Sequence, residues 1–310
     1  MATKVAVLRG GPSHGYDASL KTGAYVLSLL RELPEAYAPA DIFISRDGEW
    51  HSSGLVQEPH EALREADVVW NALHGTYGED GQVQRILENF GIPFTGSGSI
   101  PASLSLDKNL SKLVYREHSL LTPESKLITE GNFNDGELIL IFRKFLTPVI
   151  VKPADGAHSF GIKLTRTFQE LKEAIKEIFK HSKKALVEEF IKGREASCAV
   201  VEQARGEKIY AFVPVGQSGI RENKRITEMA KTAHDILNLN HYSSSDFIIT
   251  PKGKIYILET NSLPVFHEES LLHRSLQETG WQPRDFVKHC LNLALKKISL
   301  GGHYTKKFGL

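Results

Sequence analysis

Cysteine is nearly absent: the 310 residues hold two, Cys198 and Cys290, at no metal-ligand spacing. That leaves no CxxC-type zinc or redox motif, and without a secretory signal a disulfide between them is the weaker reading. No apolar stretch approaches the roughly 20 residues of a membrane span. The N-terminus runs straight into the strand-like VAVLRGG, with no charged segment and cleavage site ahead of it. Neither sign of charge dominates: 38 Lys and Arg against 37 Asp and Glu leave a formal +1. Nothing here marks nucleic acid or an anionic membrane as the main partner. A Walker A motif is missing, so any nucleotide site is of another kind. No internal repeat is visible, and cytoplasm is the expected compartment.

What is present is ordinary for a globular protein: 41% apolar and 24% charged residues, with a length that suits two or three compact units. KVAVLR reads as a buried strand ending in the turn-prone GGPSHG. Leu20, Ala24, Leu27 and Leu30 then recur at helical steps. DIFISRDGEW is strand-like around an Asp47-Gly48 turn, EPHEALREA is helical, and ADVVWNALHG is a strand emptying into a glycine-rich loop. QVQRILENF is a helix stopped by Gly91, and IPFTG a further strand. This alternation predicts a mainly parallel sheet with helices on its faces over residues 1–100. A second unit over 101–185 carries the helical LDKNLSKLVYREH, the extended LTPESKLI, two strands in TPVIVKPADGAHSFGIKLT and a helix from Phe168. The third, over 186–297, opens at ALVEEFI. It holds the strands ASCAVVEQ, KIYAFVPV, SSSDFIIT and KIYILETN, with helices near 224–237 and 282–297. Residues 298–310 read as a frayed tail.

Four places carry chemistry. Glu259 and Asn261 stand two apart on one strand and share a face, and Asp246 joins them if PKGK is a hairpin turn. Three oxygen donors at a strand edge suit Mg²⁺; the plain alternative is solvated strand-end residues. Lys152 lies inside the apolar run TPVIVKPAD, where an ammonium needs an anion. The small Gly156, Ser159 and Gly161 after it would admit backbone N–H groups to phosphates, or form an ordinary turn. HGTYGEDGQVQ interleaves His74, Glu79 and Asp80 with glycines after a buried strand, at the edge where parallel α/β sheets bind ligands. A capping role for Asp80 competes with that. GGPSHG only loosely resembles a dinucleotide loop.

In this order the segments ALHGTYGEDGQVQ, GIPFTGSG with SLDKNLSK, PVIVKPADGAHSFGI, LVEEFIKGRE and LETNSLPVFHEESL resemble D-alanine–D-alanine ligases of the ATP-grasp superfamily. The resemblance spans residues 4–297. It implies an α/β and α+β ATP-grasp fold: an N-terminal parallel α/β domain, with central and C-terminal α+β domains clamping ATP. It implies an ATP- and Mg²⁺-dependent ligase, with Mn²⁺ as a substitute metal, joining a carboxylate to an amine through an acyl phosphate. Lys108 and Lys152 are expected at the nucleotide phosphates, and Glu188, Phe190, Ile191 and Glu195 at adenine and ribose. Asp246, Glu259 and Asn261 are expected on magnesium, Ser159 in the loop over the phosphates, and Ser270 with Leu271 at the second substrate's carboxylate. His74 and Glu79 fall among the elements near the substrates. Small amino acid substrates and a homodimer follow by the same resemblance.

The departures from the family lie together. Its amine-holding glutamate falls on Gly15, with Asp17 as a candidate substitute. Its loop serine falls on His158, and the tyrosine that joins them belongs to a loop missing from KIYAFVPVGQSGIRENKRI. Its oxyanion arginine falls on Ser244 and the assisting glycine on Val265; Arg221 or Arg225 are candidate replacements for the lost charge. The nucleotide residues are intact while the amine pocket and oxyanion site are altered. Three functions follow: a D-alanine–D-alanine ligase-like enzyme of peptidoglycan precursor synthesis, a related ligase with a different amino acid, hydroxy acid or peptide substrate, and a non-catalytic Mg–ATP-binding regulator.

Overall fold

The computed structural model describes residues 2–145, 147–156 and 161–300. His158 and Ser159, both expected at the site, lie outside the described residues.

The chain opens with β1 (Thr3–Gly10), α1 (Tyr16–Arg31) and β2 (Tyr37–Ile44). A hairpin of β3 (Trp50–Ser52) and β4 (Leu55–Gln57), the one-turn α2 (Pro59–Ala62) and β5 (Val68–Asn71) follow. The sheet order is β4-β3-β2-β1-β5, parallel from β2 through β5 and antiparallel at the hairpin. Val5 to Leu8 and Val68 to Trp70 are buried without interruption, as strands covered on both faces must be. α3 (Gln82–Phe90) ends at Gly91, whose φ of 65° closes the helix. IPFTG forms only a single bridge, Phe94 to Val69. Pro93 cannot donate to a ladder, and Gly96 at φ 91° turns the chain away.

α4 (Ser99–Leu106) and α5 (Lys108–Glu117) lead into the central unit: β6 (Ser125–Thr129), α6 (Asp135–Lys144), β7 (Val149–Pro153), β8 (Lys163–Thr165), α7 (Phe168–Ile178) and β9 (Lys184–Glu189). Its antiparallel sheet runs β6-β9-β7-β8. β9 pairs on both sides there, so the boundary expected at 185–186 runs through a strand of the central sheet. The C-terminal unit has β10 (Arg194–Ala204), β11 (Glu207–Ala211), β12 (Val215–Gly216), α8 (Ile220–Ile236), β13 (Tyr242–Ile249), β14 (Ile255–Asn261), α9 (Leu271–Glu278) and α10 (Pro283–Leu300). Its sheet order is β11-β10-β13-β14, with β12 also on β10. α10 continues to Leu300, past the 298 expected for the start of a tail.

Packing divides the molecule differently from the order of the chain. Ile128, Leu138, Val151, Leu171, Ile175 and Val187 form a core wholly inside the central unit. The first and third units instead share one: Val5, Val26 and Trp70 pack with Ala199, Tyr242 and Phe286. Trp70 stacks on Tyr242 at 6.0 Å between ring centres. The Gly96 N–H donates to His241 Nδ1 at 3.1 Å, and the Asn240 N–H to Ser97 Oγ at 3.0 Å.

Candidate active site

The metal candidates converge as their spacing predicts. β13 and β14 are antiparallel, with Asp246 directly opposite Glu259 and Ser244 opposite Asn261. The register shifts just beyond Asp246, where Phe247 pairs with Ile257 and Leu258 is left over. A bulge of this kind re-aims side chains, and here it brings the two carboxylates face to face. Asn261 Nδ2 donates to Asp246 Oδ2 at 3.3 Å. Burial, and then the like charge of Glu259, pushes the Asp246 carboxyl up to about 7. Thr260, between Glu259 and Asn261, points to the other face. There Tyr115 Oη donates to its Oγ1 at 2.8 Å, and Ser245 Oγ lies 2.8 Å away. Two half-buried carboxylates and an amide oxygen form a hard-donor set whose mutual repulsion a divalent cation would relieve. Asp246, Glu259 and Asn261 thus fit Mg²⁺, which when bound neutralises phosphate charge.

Two lysine groups flank this row. Asp107 caps α5 by accepting from the N–H groups of Asn109 and Leu110, both at 3.0 Å, which sets Lys108 as the first helical residue. The Lys108 ammonium pairs with Glu259, and its own N–H donates to the Ala154 carbonyl at 2.7 Å. Burial opposes the Lys108 charge, yet Glu259, with Glu188 and Glu79 beyond it, carries its pKa above the ordinary value. Deeper in, Lys152 Nζ lies 2.5 Å from one oxygen of Glu188, and Lys112 Nζ 3.3 Å from the other. All three side chains are buried. Burial pulls the Lys112 ammonium down to about 8 against the pull of Glu188. Sequence reasoning missed Lys112, which stands at an ordinary helical position in LDKNLSK. Its four-residue offset from Lys108, one helical turn, was the available signal.

The HGTYGEDG loop is tied internally. Asn71 Oδ1 accepts from Leu73, and Gln84 Nε2 donates to the Gly78 carbonyl at 2.7 Å. Asp80 accepts from the N–H groups of Tyr77 and Gln82. The N-cap of α3 is Gly81, with no side-chain cap, so Asp80 ties the loop ahead of the helix and is not the cap residue weighed for it. Glu79 is buried and accepts from the Gly75 N–H at 2.6 Å. Burial pushes its carboxyl up to about 7, against the backbone amides of Gly75 and Leu263. His74, also buried, lies with Nε2 2.9 Å from Thr22 Oγ1. Ser13 Oγ in the first glycine loop donates to the His74 carbonyl at 2.5 Å.

Ser270 caps α9, its Oγ accepting from the N–H groups of His267 and His273 at 3.2 Å each. Leu271 follows as the first helical residue, half exposed. Phe190 and Ile191 lie in the link from β9 to β10. Glu195 is exposed on β10, two residues from Ser197 and so on its face. Asp17 faces outward, its side chain 83% exposed and 3.5 Å from Arg46. Arg225 donates to the Gly253 carbonyl at the far hairpin turn, which takes it away from the metal candidates, and Arg221 is exposed on the first turn of α8. Ser244 is buried and bonded to Ser197 at 3.0 Å.

Residues 126–219 and 206–292 match the family described as D-ala D-ala ligase C-terminus, and residues 52–97 match D-ala D-ala ligase N-terminus. A D-alanine–D-alanine ligase of Geotalea uraniireducens is 33% identical over 96% of this chain and 97% of its own length. The chain belongs to the D-alanine–D-alanine ligase family. The D-alanine–D-alanine ligase of Coxiella burnetii has the same fold, with a TM-score of 0.87 at 23% identity over 95% of this chain and 96% of that one. That of Bacillus anthracis, solved in complex with ATP, has a TM-score of 0.81 at 24% identity over 97% of this chain and all of that one. As a member of the family the chain is an ATP-grasp enzyme that uses ATP and Mg²⁺ to form a peptide bond between small amino acid substrates, releasing ADP and phosphate. Among the described residues no helix is long and apolar enough to cross a membrane.

Proposed function

We propose that this ligase joins two D-amino acids, with D-alanyl-D-alanine for peptidoglycan precursors as the product that family membership favours. ATP phosphorylates the first substrate's carboxylate, and the second substrate's amine attacks the acyl phosphate. The observation that carries this is the row of Asp246, Glu259 and Asn261 beside Lys108, backed by the buried Lys152–Glu188–Lys112 group. Asp246, Glu259 and Asn261 hold Mg²⁺, with Mn²⁺ as a substitute. Lys108 and Lys152 take the phosphates, and Ser159 is assigned to the loop over them. Glu188, Phe190, Ile191 and Glu195 form the adenine and ribose site. His74 and Glu79 line the first-substrate side, and the capped start of α9, Ser270 and Leu271, receives the second carboxylate, as helix N-termini do. The shared core of the first and third units supports a two-body enzyme, with the central unit closing over ATP. A cytoplasmic homodimer completes the proposal.

A second reading keeps the chemistry and changes the first substrate. An added Cβ at Gly15 would stand 2.7 Å from the His74 carbonyl oxygen, and Asp17 is engaged outward, so neither supplies an acid to the substrate amine. A different amino acid or a hydroxy acid fits that pocket, with His158 assigned to it. Phosphate release from Mg–ATP against D- and L-amino acids and hydroxy acids, singly and in pairs with mass detection of products, separates the readings. D-alanyl-D-alanine as product supports the first and another product the second. Tight ATP binding with no release for any pair would overturn both and leave a regulator.

A further inference from the structure

Thr22 sits on α1 where that helix packs toward the C-terminal unit, and it is 2% exposed. Its hydroxyl oxygen has two neighbours. The backbone N–H of Phe266 donates to it at 3.2 Å, and His74 Nε2 lies 2.9 Å away. A threonine hydroxyl offers one proton and two lone pairs. The Phe266 amide has only a proton to give, so it takes a lone pair. The hydroxyl proton then needs an acceptor, and among the described residues His74 Nε2 is the one within hydrogen-bond distance. An accepting Nε2 carries no proton, and the neutral ring then holds its proton on Nδ1. The reverse arrangement, with Nε2–H pointing at the oxygen, leaves two buried groups unmatched among the described residues, the hydroxyl proton and the Nδ1 lone pair, whereas the first leaves only the Nδ1–H.

We infer that Thr22 sets the tautomer of His74, holding it as a neutral Nδ1–H donor, and is a positioning residue for the ligase reaction. The backbone of His74 is held as well: Ser13 Oγ bonds its carbonyl, and Gly15 lies so close that an added Cβ there would clash with it. Phe266 ties the arrangement to the segment that leads into α9, so the tautomer and the placing of the second-substrate helix share one hydroxyl. A fixed, neutral N–H donor suits a carboxylate or the oxyanion formed from it. This matters in a chain with serine at position 244 in place of the expected arginine. The inference rests on the proposal that His74 lines the first-substrate side.

The test is a long-range proton–nitrogen correlation spectrum of the ¹⁵N-histidine-labelled full chain, with His74 assigned by its loss in His74→Gln. The expected wild-type pattern is the Nδ1–H tautomer. Thr22→Val is expected to lose that bias and to lower kcat by about ten- to a hundred-fold, by analogy with the partners that fix the tautomer of metal-bound histidines, with KM for ATP unchanged. Thr22→Ser restores both. An Nε2–H wild-type pattern overturns the inference, as does a Thr22→Val chain with wild-type tautomer or wild-type kcat. The wild-type pattern, assigned through His74→Gln, does not depend on Thr22→Val, so a Thr22→Val chain that does not fold leaves the test standing. Absence of turnover with every substrate pair counts against the ligase reading alone, because the spectrum still decides the tautomer.

Discussion

Lys152 and Glu188 are diagonal neighbours on β7 and β9, and their charged atoms meet at 2.5 Å in the interior of the molecule. Lys112 reaches the same carboxylate from α5. One carboxylate therefore faces two ammonium groups and offsets only one of them, leaving net positive charge where the phosphates of ATP are proposed to lie.

Lys152→Met keeps the stem and removes that charge. Breaking a buried pair by deleting one partner costs about 3–5 kcal/mol, and the retained Lys112 holds the loss toward or below the lower figure. Mg–ATP affinity is expected to fall by at least about ten-fold, or 1.4 kcal/mol. Calorimetric titration checks this, and an unchanged Kd would remove Lys152 from the nucleotide site.

Asp246→Asn preserves shape and hydrogen bonding to Asn261 while deleting one of two facing carboxylates. Ligand-free stability should rise, because the repulsion with Glu259 disappears. Turnover should fall by two orders of magnitude or more, on the order of 3 kcal/mol in the barrier, and the Mg²⁺ concentration for half-maximal rate should climb. Thermal melts and magnesium titrations of phosphate release read the two effects separately. Unchanged turnover would exclude Asp246 as a metal ligand.

Glu79 gives a pH dependence whose sign is fixed. Its folded pKa, near 7, stands above the unperturbed 4.5, so between these values the folded state binds the proton that the unfolded state has released. Stability of the ligand-free protein therefore declines as pH rises from about 4.5 to 7 and levels off above it. Glu79→Gln should be more stable than wild type at pH 8, by on the order of 3 kcal/mol at most, and no different at pH 4. Urea denaturation at both values measures it. An equal gain at the two pH values would assign the effect to packing instead.

The site was legible where its chemistry lies in short segments. The spacing of Glu259 and Asn261 and the hairpin through PKGK are local facts, and they bring Asp246 into place. Lys152 in an apolar run announced a buried anion, and Glu188 is that anion. Thr22, Lys112 and Ser197 were not legible, because a polar residue at a helical or strand position looks like solvated surface until a distant segment covers it. The core joining Trp70 to Tyr242 and Phe286 is hidden for the same reason: its partners lie more than a hundred residues apart. IPFTG reads as a strand by composition, but Pro93 and the turn at Gly96 leave it one bridge.

Gly15 allows the sharpest test of the altered pocket. By charge alone, restoring the family's glutamate there would rebuild an amine site, but the backbone opposes it. A Cβ would stand 2.7 Å from the His74 carbonyl oxygen and 2.8 Å from the His74 Cβ, closer than real Cβ contacts come. Even Gly15→Ala must therefore push the first glycine loop from the HGTYGEDG loop, an overpacking cost of about 1–3 kcal/mol. Gly15→Glu carries the same strain and displaces His74 from Thr22. The expected outcome is a lower melting temperature for both variants, with no gain in D-alanine affinity for Gly15→Glu. Thermal melts and KM for the first substrate decide it. A Gly15→Glu chain of wild-type stability with tightened D-alanine binding would show that the loops yield readily, and that the loss of one acid, rather than a rebuilt backbone, is what changed this pocket.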